Sequence, residues 1–155
     1  MQAFLLIGAE RRGAPVMAFT RIDDKPIRIR SQIYLPDYVV VLDSQLAELM
    51  DVSSGIKPSG IIFINSERDV TEFQFGNPAK VITLDVTSIA LKHGLGTSTA
   101  PIVNTAVLGA FACLSGVVGL DALLTAVREM APARPEANVK ATEEAYRKAE
   151  ECLLK

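Results

Sequence analysis

Tyr38-Val39-Val40-Val41-Leu42 is the stretch on which the fold turns. It is a continuous apolar run of mostly β-branched residues, the pattern of a central strand covered on both faces. Two runs of the same kind follow, Gly60-Ile61-Ile62-Phe63-Ile64-Asn65 and Lys80-Val81-Ile82-Thr83-Leu84-Asp85. Helix-start signals follow the first and the third. Asp43-Ser44 offers an N-cap for a helix through Leu46, Leu49 and Met50, and Thr87 offers one after the third strand. Strands alternating with helices predict an α/β fold with an open, mostly parallel sheet and helices on both faces.

Toward the N-terminus, residues 16–22 read as a strand and Asp23-Asp24-Lys25-Pro26 as a turn. Ile27-Arg28-Ile29-Arg30 then alternates apolar and charged residues, as a half-buried strand does. The two segments predict a β-hairpin near the N-terminus. The C-terminal third reads as helical. Pro101 suits the first turn of a helix through Ile102, Val103, Ala106, Val107, Ala110 and Phe111, ended by Gly116. Asp121 caps a second helix carrying Leu123, Leu124 and Val127 on one face. Pro135-Glu136 opens a third that ends near Leu153-Leu154, with Glu143, Glu144, Lys148 and Glu150 on a solvated face.

The 155 residues fit one domain, 1–155. Sixteen basic against eighteen acidic residues leave a net charge of -2, with no basic field for nucleic acid. Cys113 and Cys152 are the only cysteines and His93 the only histidine, too few ligands for an iron–sulfur cluster or a structural zinc site. Two isolated thiols suit a reducing, cytoplasmic setting. The apolar Phe4-Leu5-Leu6-Ile7 is too short for a signal peptide, and its positive charges follow it. Residues 93–120 hold no Asp, Glu, Lys or Arg, but five glycines and Pro101 interrupt them, so the reading is loop, buried helix and turn, with no membrane span.

The chain has no Walker-type run and no Gly-x-Gly-x-x-Gly after a strand; Gly94-Leu95-Gly96 reads as a connection between helices. His93 is placed to meet free carbonyls at a helix end. Asp43 and Asp85 stand at strand ends, where open α/β sheets bind ligands, but both suit capping. Three features stand out. Glu10-Arg11-Arg12-Gly13 offers two guanidinium forks for phosphate or carboxylate beside a glycine that permits close backbone approach, or else an interface ion pair. Asn104 and Thr105 fall in the first turn of a buried helix, where an anion or a self-cap can use the free amides. Ala106, Gly109, Ala110 and Cys113 form a small-residue face that lets another helix approach closely, within the chain or across a homodimer.

These residues resemble the gamma subunit, or gamma domain, of the 2-oxoacid:ferredoxin oxidoreductases, with the pyruvate and 2-ketoisovalerate members the nearest in look. The carrying strings are "GAERRGAPV" at 8–16, "AFTRIDDKPIRIRSQIYLPDYVVVLD" at 18–43, "GIIFINSE" at 60–67, "PIVNTAVLGAF" at 101–111 and "NVKATEEAYRKA" at 138–149. The resemblance implies a non-catalytic component of an enzyme that oxidatively decarboxylates a 2-oxoacid to an acyl-CoA and passes electrons to ferredoxin. It implies thiamine diphosphate, magnesium and [4Fe–4S] clusters in partner subunits of alpha, beta and delta type. It also implies coenzyme A as a substrate on the side of Arg11, Arg12, Gly13, Asn104 and Thr105, or a subunit interface there. Family members usually begin with a strand and a Gly-x-Gly-Gly-Gln-Gly loop ahead of the Arg-Arg-Gly segment. With Arg11 so near Met1, the expectation is a short, split or misannotated start and a sheet with an open edge. A 2-ketoisovalerate-specific homologue and a free-standing nucleotide- or acyl-CoA-binding module are the alternatives.

Overall fold

The computed structural model describes residues 1–6, 15–76 and 79–154. Its centre is a parallel sheet of β3 (Tyr38–Val41), β4 (Ile61–Asn65) and β5 (Lys80–Leu84), in the order β3-β4-β5. In register, Val40 stands beside Phe63, and Phe63 beside Ile82. Ile62 and Ile64 are wholly buried and Phe63 nearly so, which makes β4 the central strand. Tyr38–Val41 was expected in that place. Among the described residues it is instead an edge strand, paired only with β4, and the covering helices lie over β4 and β5 and leave Tyr38, Val40 and the following Leu42 exposed.

Each sheet face carries its own core. On one side, Phe63 and Ile82 pack with Val86, Ile89, Ala106, Ala110, Ala141 and Ala145 from three helices, α2 (Val86–Lys92), α3 (Asn104–Ser115) and α5 (Pro135–Leu153). On the other, Ile62, Ile64 and Val41 pack with Ile56 and Phe73, under the short α1 (Leu46–Leu49) and its neighbouring turns. Burying each large side chain stabilises the fold by about 1.5–3 kcal/mol. α4 (Leu120–Met130) joins α3 to α5.

The N-terminal hairpin is present, but with a different partner. β1 (Gln2–Leu6) pairs antiparallel with β2 (Met17–Arg21), and Phe4 stacks on Phe19 at 5.2 Å. Residues 27–30 form no strand. The Arg21 guanidinium donates to the Ser31 and Gln32 carbonyls at 2.7 and 3.0 Å, so a side chain, not a ladder, ties the segment after Ile27–Arg30 to β2.

Several helix starts also shift. Asp43 accepts from the Gln45 amide two residues on, and α1 begins only at Leu46. Asp85, not Thr87, caps α2 by accepting from the Ser88 amide at 2.9 Å. Pro101 lies in β7 (Ala100–Pro101), paired with β6 (Gly96–Thr97), and Ile102 donates back to the Leu95 carbonyl. That small hairpin delays α3 to Asn104, and it replaces the plain connection expected at residues 94–96. Gly119 stands at the N-cap of α4, which makes Asp121 the second residue of the helix, in its first turn, where its charge still suits the dipole. Gly116 ends α3 in the left-handed region at φ 64°, as expected.

The small-residue face serves the chain's own packing. α3 lies against α5 so closely that a Cβ on Gly109 would stand 2.0 Å from the Thr142 carbonyl oxygen. Ala106 and Ala110 beside it are wholly buried. Gly109→Ala should therefore lower unfolding stability by about 1–3 kcal/mol in urea titration. Gly119→Ala, where an added Cβ meets nothing within 4 Å, should cost well under half of that. Equal stability of Gly109→Ala and the parent chain would contradict this packing.

Candidate functional site

The carboxyl ends of the parallel strands open into a cleft of about 380 Å³, lined by Leu42, Asp43, Ser44, Asn65, Thr87, Pro101 and Val103. This is where open α/β sheets bind ligands. Its floor is held by Asn65, which is 8% exposed at the end of β4. The Asn65 Oδ1 accepts from the Val86 and Thr87 amides at 2.9 and 3.2 Å. Its Nδ2 donates to the Leu42 carbonyl at 3.0 Å and to the Thr87 hydroxyl at 2.9 Å. One amide thus joins the ends of β3 and β4 to the first turn of α2. The sequence reading assigned Asn65 only to a strand; a polar residue ending a buried apolar run was the signal available.

The opposite wall comes from β7 and the residues entering α3. Asn104 accepts from the Thr105 amide at 2.9 Å and stays exposed. Thr105 turns inward and donates its hydroxyl to the Asn138 Oδ1 at 2.7 Å. Asn138 donates to the Ala133 and Arg134 carbonyls, and the Thr142 hydroxyl, wholly buried, lies 3.1 Å from the Thr105 carbonyl and 2.8 Å from that of Asn138. Every polar group in this network has a partner, so it fixes the start of α3 against α5. Arg134, with φ 51°, also donates to the Gly94 carbonyl and so holds the turn before β6.

The structure brings Asn104 and Thr105 to the chain segment beside the cleft wall at Val103. Arg11, Arg12 and Gly13 lie outside the described residues.

His93 is the C-cap residue of α2, as its place at a helix end implied, but its imidazole turns to a side chain instead of to backbone carbonyls. Its Nε2 lies 2.7 Å from Glu144 Oε2, and Lys92 Nζ lies 2.7 Å from Glu144 Oε1. Glu144, expected on a solvated face, thus clamps α2 to α5. The hydrogen bond from Lys92, against a smaller effect of burial and with help from His93, holds its carboxyl below the ordinary glutamate range. A lowered folded value means that this pair contributes its full stability above the ordinary glutamate range and loses it as pH falls from there through the lowered folded value. The solvated pairs of α5 are Glu143 with Arg147 and Lys148 with Glu151.

The chemistry open to these residues is binding and positioning. Burial, then Glu150 and Cys152, push the Cys113 thiol up, away from the thiolate a nucleophile needs. Asp43 and Asp85 spend a carboxylate oxygen on a backbone amide each. Two thiols do not fit the four ligands of an iron–sulfur cluster. Among the described residues no three His, Cys, Asp or Glu side chains gather in a metal-binding group. No helix among them is long and apolar enough to cross a membrane.

An open α/β domain with a strand-end cleft is the class these features define. Residues 1–148 match the family described as "Pyruvate ferredoxin/flavodoxin oxidoreductase". The chain is 50% identical over 150 residues to the "Pyruvate synthase subunit PorC" of Methanothermobacter thermautotrophicus, covering 96% of this chain and 79% of that one. It is 50% identical over 152 residues to the "Pyruvate/ketoisovalerate oxidoreductases common subunit gamma" of Thermococcus kodakarensis, covering 96% and 80%. The crystal structure of the pyruvate oxidoreductase subunit PORC of Thermotoga maritima superposes with a TM-score of 0.78 at 32% identity, over 94% of this chain and 78% of that one. The chain belongs to the pyruvate ferredoxin/flavodoxin oxidoreductase family, as a gamma subunit of a pyruvate or 2-oxoacid:ferredoxin oxidoreductase. The resemblance carried by residues 8–16, 18–43, 60–67, 101–111 and 138–149 is borne out.

The fold around the cleft predicts that Asn65→Ala lowers unfolding stability by at least about 2 kcal/mol, because the Val86 and Thr87 amides lose their acceptor. Asn65→Asp keeps that acceptor but sets a carboxylate against the Leu42 carbonyl, and should also destabilise. Wild-type melting of both variants would show that the cleft does not depend on this side chain.

Proposed function

We propose that this chain, folded as a single α/β domain over residues 1–155, is the assembly and coenzyme A-side component of a cytoplasmic 2-oxoacid:ferredoxin oxidoreductase, inactive alone. The enzyme would convert a 2-oxoacid and coenzyme A to an acyl-CoA and carbon dioxide, passing two electrons to ferredoxin. Thiamine diphosphate, magnesium and [4Fe–4S] clusters would be held by alpha-, beta- and delta-type partners, as the resemblance implies; two cysteines are too few to hold a cluster here.

The observation that carries the reading is the cleft. It sits where an α/β sheet receives a ligand, and its wall leads directly into Asn104 at the exposed start of α3. In this reading Asn104 and its neighbouring amides face the coenzyme, and Thr105 acts through its bond to Asn138 as a positioning residue. Arg11 and Arg12, with Gly13 allowing close approach, supply charge to coenzyme A phosphates or to a partner's carboxylates.

Arg11→Ala and Arg12→Ala, each co-produced with the partner subunits, should raise the KM for coenzyme A by about tenfold or reduce recovery of the complex to a similar degree. Tenfold corresponds to losing roughly one charge-assisted hydrogen bond. Unchanged assembly together with unchanged coenzyme A KM in both variants would refute the role of these arginines.

A further inference from the structure

Residues 27–30 carry the alternation of a strand and pair with none. Pro26 fixes the backbone just ahead of them, and Arg21 binds the Ser31 and Gln32 carbonyls just after them. Between these two ties the segment is non-helical. It is exposed at Arg28, Ile29 and Arg30, with Ile29 63% exposed. Among the described residues no backbone hydrogen bond reaches 27–30. Isoleucine favours strands, and a backbone with free amides and carbonyls is a template for another strand.

The charges decide what kind of strand it suits. Among the described residues Arg28 and Arg30 are the arginines without a partner. Arg21 and Arg134 donate to backbone carbonyls, and Arg68, Arg128 and Arg147 bind carboxylates. The whole chain is weakly acidic at a net charge of -2, so Arg28 and Arg30 form a local positive excess and not part of a general field. Side chains two residues apart on a strand project to the same side, which puts both guanidinium groups together and Ile29 on the other side. A second copy laid antiparallel with residue 28 facing residue 30 would set arginine against arginine, a repulsive arrangement. A strand with carboxylates at the facing positions is attracted instead, since a carboxylate takes a guanidinium by two parallel hydrogen bonds.

We propose that residues 27–30 are the docking strand for an acidic edge strand of a partner subunit. The partner's backbone completes the ladder, its carboxylates meet Arg28 and Arg30, and its apolar side chains cover Ile29. The proposal rests on the reading of this chain as one subunit among several, and it uses neither the cleft nor Arg11 and Arg12.

The test compares the free chain with the complex it forms when co-produced with the partner subunits. Amide exchange at residues 27–30 should be fast in the free chain and slower by about tenfold or more in the complex. Arg28→Glu and Arg30→Glu should each weaken assembly by about tenfold or more, and added salt should weaken the parent complex more than either variant complex. Lys140→Glu, an exposed charge change on α5, should leave assembly as in the parent. Exchange at residues 61–65 in each variant keeps loss of binding distinct from loss of fold. Unchanged exchange at 27–30 in an assembled complex would overturn this proposal alone, as would full assembly by the variant carrying both Arg28→Glu and Arg30→Glu. Slow exchange at 27–30 already in the free chain would overturn it too, by revealing a partner within the chain or in a second copy. Failure of the parent chain to join any partner subunit would overturn it together with the assembly role.

Discussion

The side-chain amide of Asn65 is the constraint on which the rest depends. A parallel strand ends with its carbonyl exposed, and the helix after it begins with free amides. Asn65 satisfies both kinds of group at once, accepting from Val86 and Thr87 and donating to Leu42. It stands where three elements meet and is nearly buried, so each bond it makes is costly to leave unmade. The cleft is what remains open beyond that junction. Its shape follows from the fixed distance between the end of β3 and the start of α2.

The second wall has a different origin. α3 is brought down on α5 through Gly109, where the Thr142 backbone leaves no room for a Cβ. The bonds among Thr105, Asn138 and Thr142 fix the axial position of the two helices. The wall at Pro101 and Val103 is therefore set by contacts on the far side of α3. Residues that gather no metal-binding group among those described, and a chain with only two cysteines, can still shape a site in this way. That suits a gamma subunit, whose chemistry is shared with other polypeptides.

The elements most legible in sequence were those whose period and composition agreed. Ile61–Asn65 and Lys80–Leu84 are continuous β-branched runs and became the sheet; Pro135 with Gly116 bracketed helices correctly. Failures arose where a distant partner decided the outcome. Residues 27–30 alternate like a strand, but β2 found a longer apolar partner in Gln2–Leu6. Tyr38–Val41 has the composition of a central strand, and composition does not reveal which face lacks a helix. Glu144 looked solvated because its partners, Lys92 and His93, are some fifty residues away in the chain. The family itself was readable from ordered strings of residues. The cleft was only partly so: Asp43 was noticed at its strand end, whereas Asn65 was marked only by being a polar residue at the end of an apolar run, its partners Leu42, Val86 and Thr87 lying more than twenty residues away.

The central claim is that this chain completes an oxidoreductase it cannot run alone. The most direct measurement is 2-oxoacid-dependent, coenzyme A-dependent reduction of ferredoxin by the purified partner subunits, with and without this chain. The account predicts no acyl-CoA formation by the chain alone, and coenzyme A-dependent turnover that appears only when the chain joins its partners. Full turnover by the partners without it, with an unchanged KM for coenzyme A, would contradict the account.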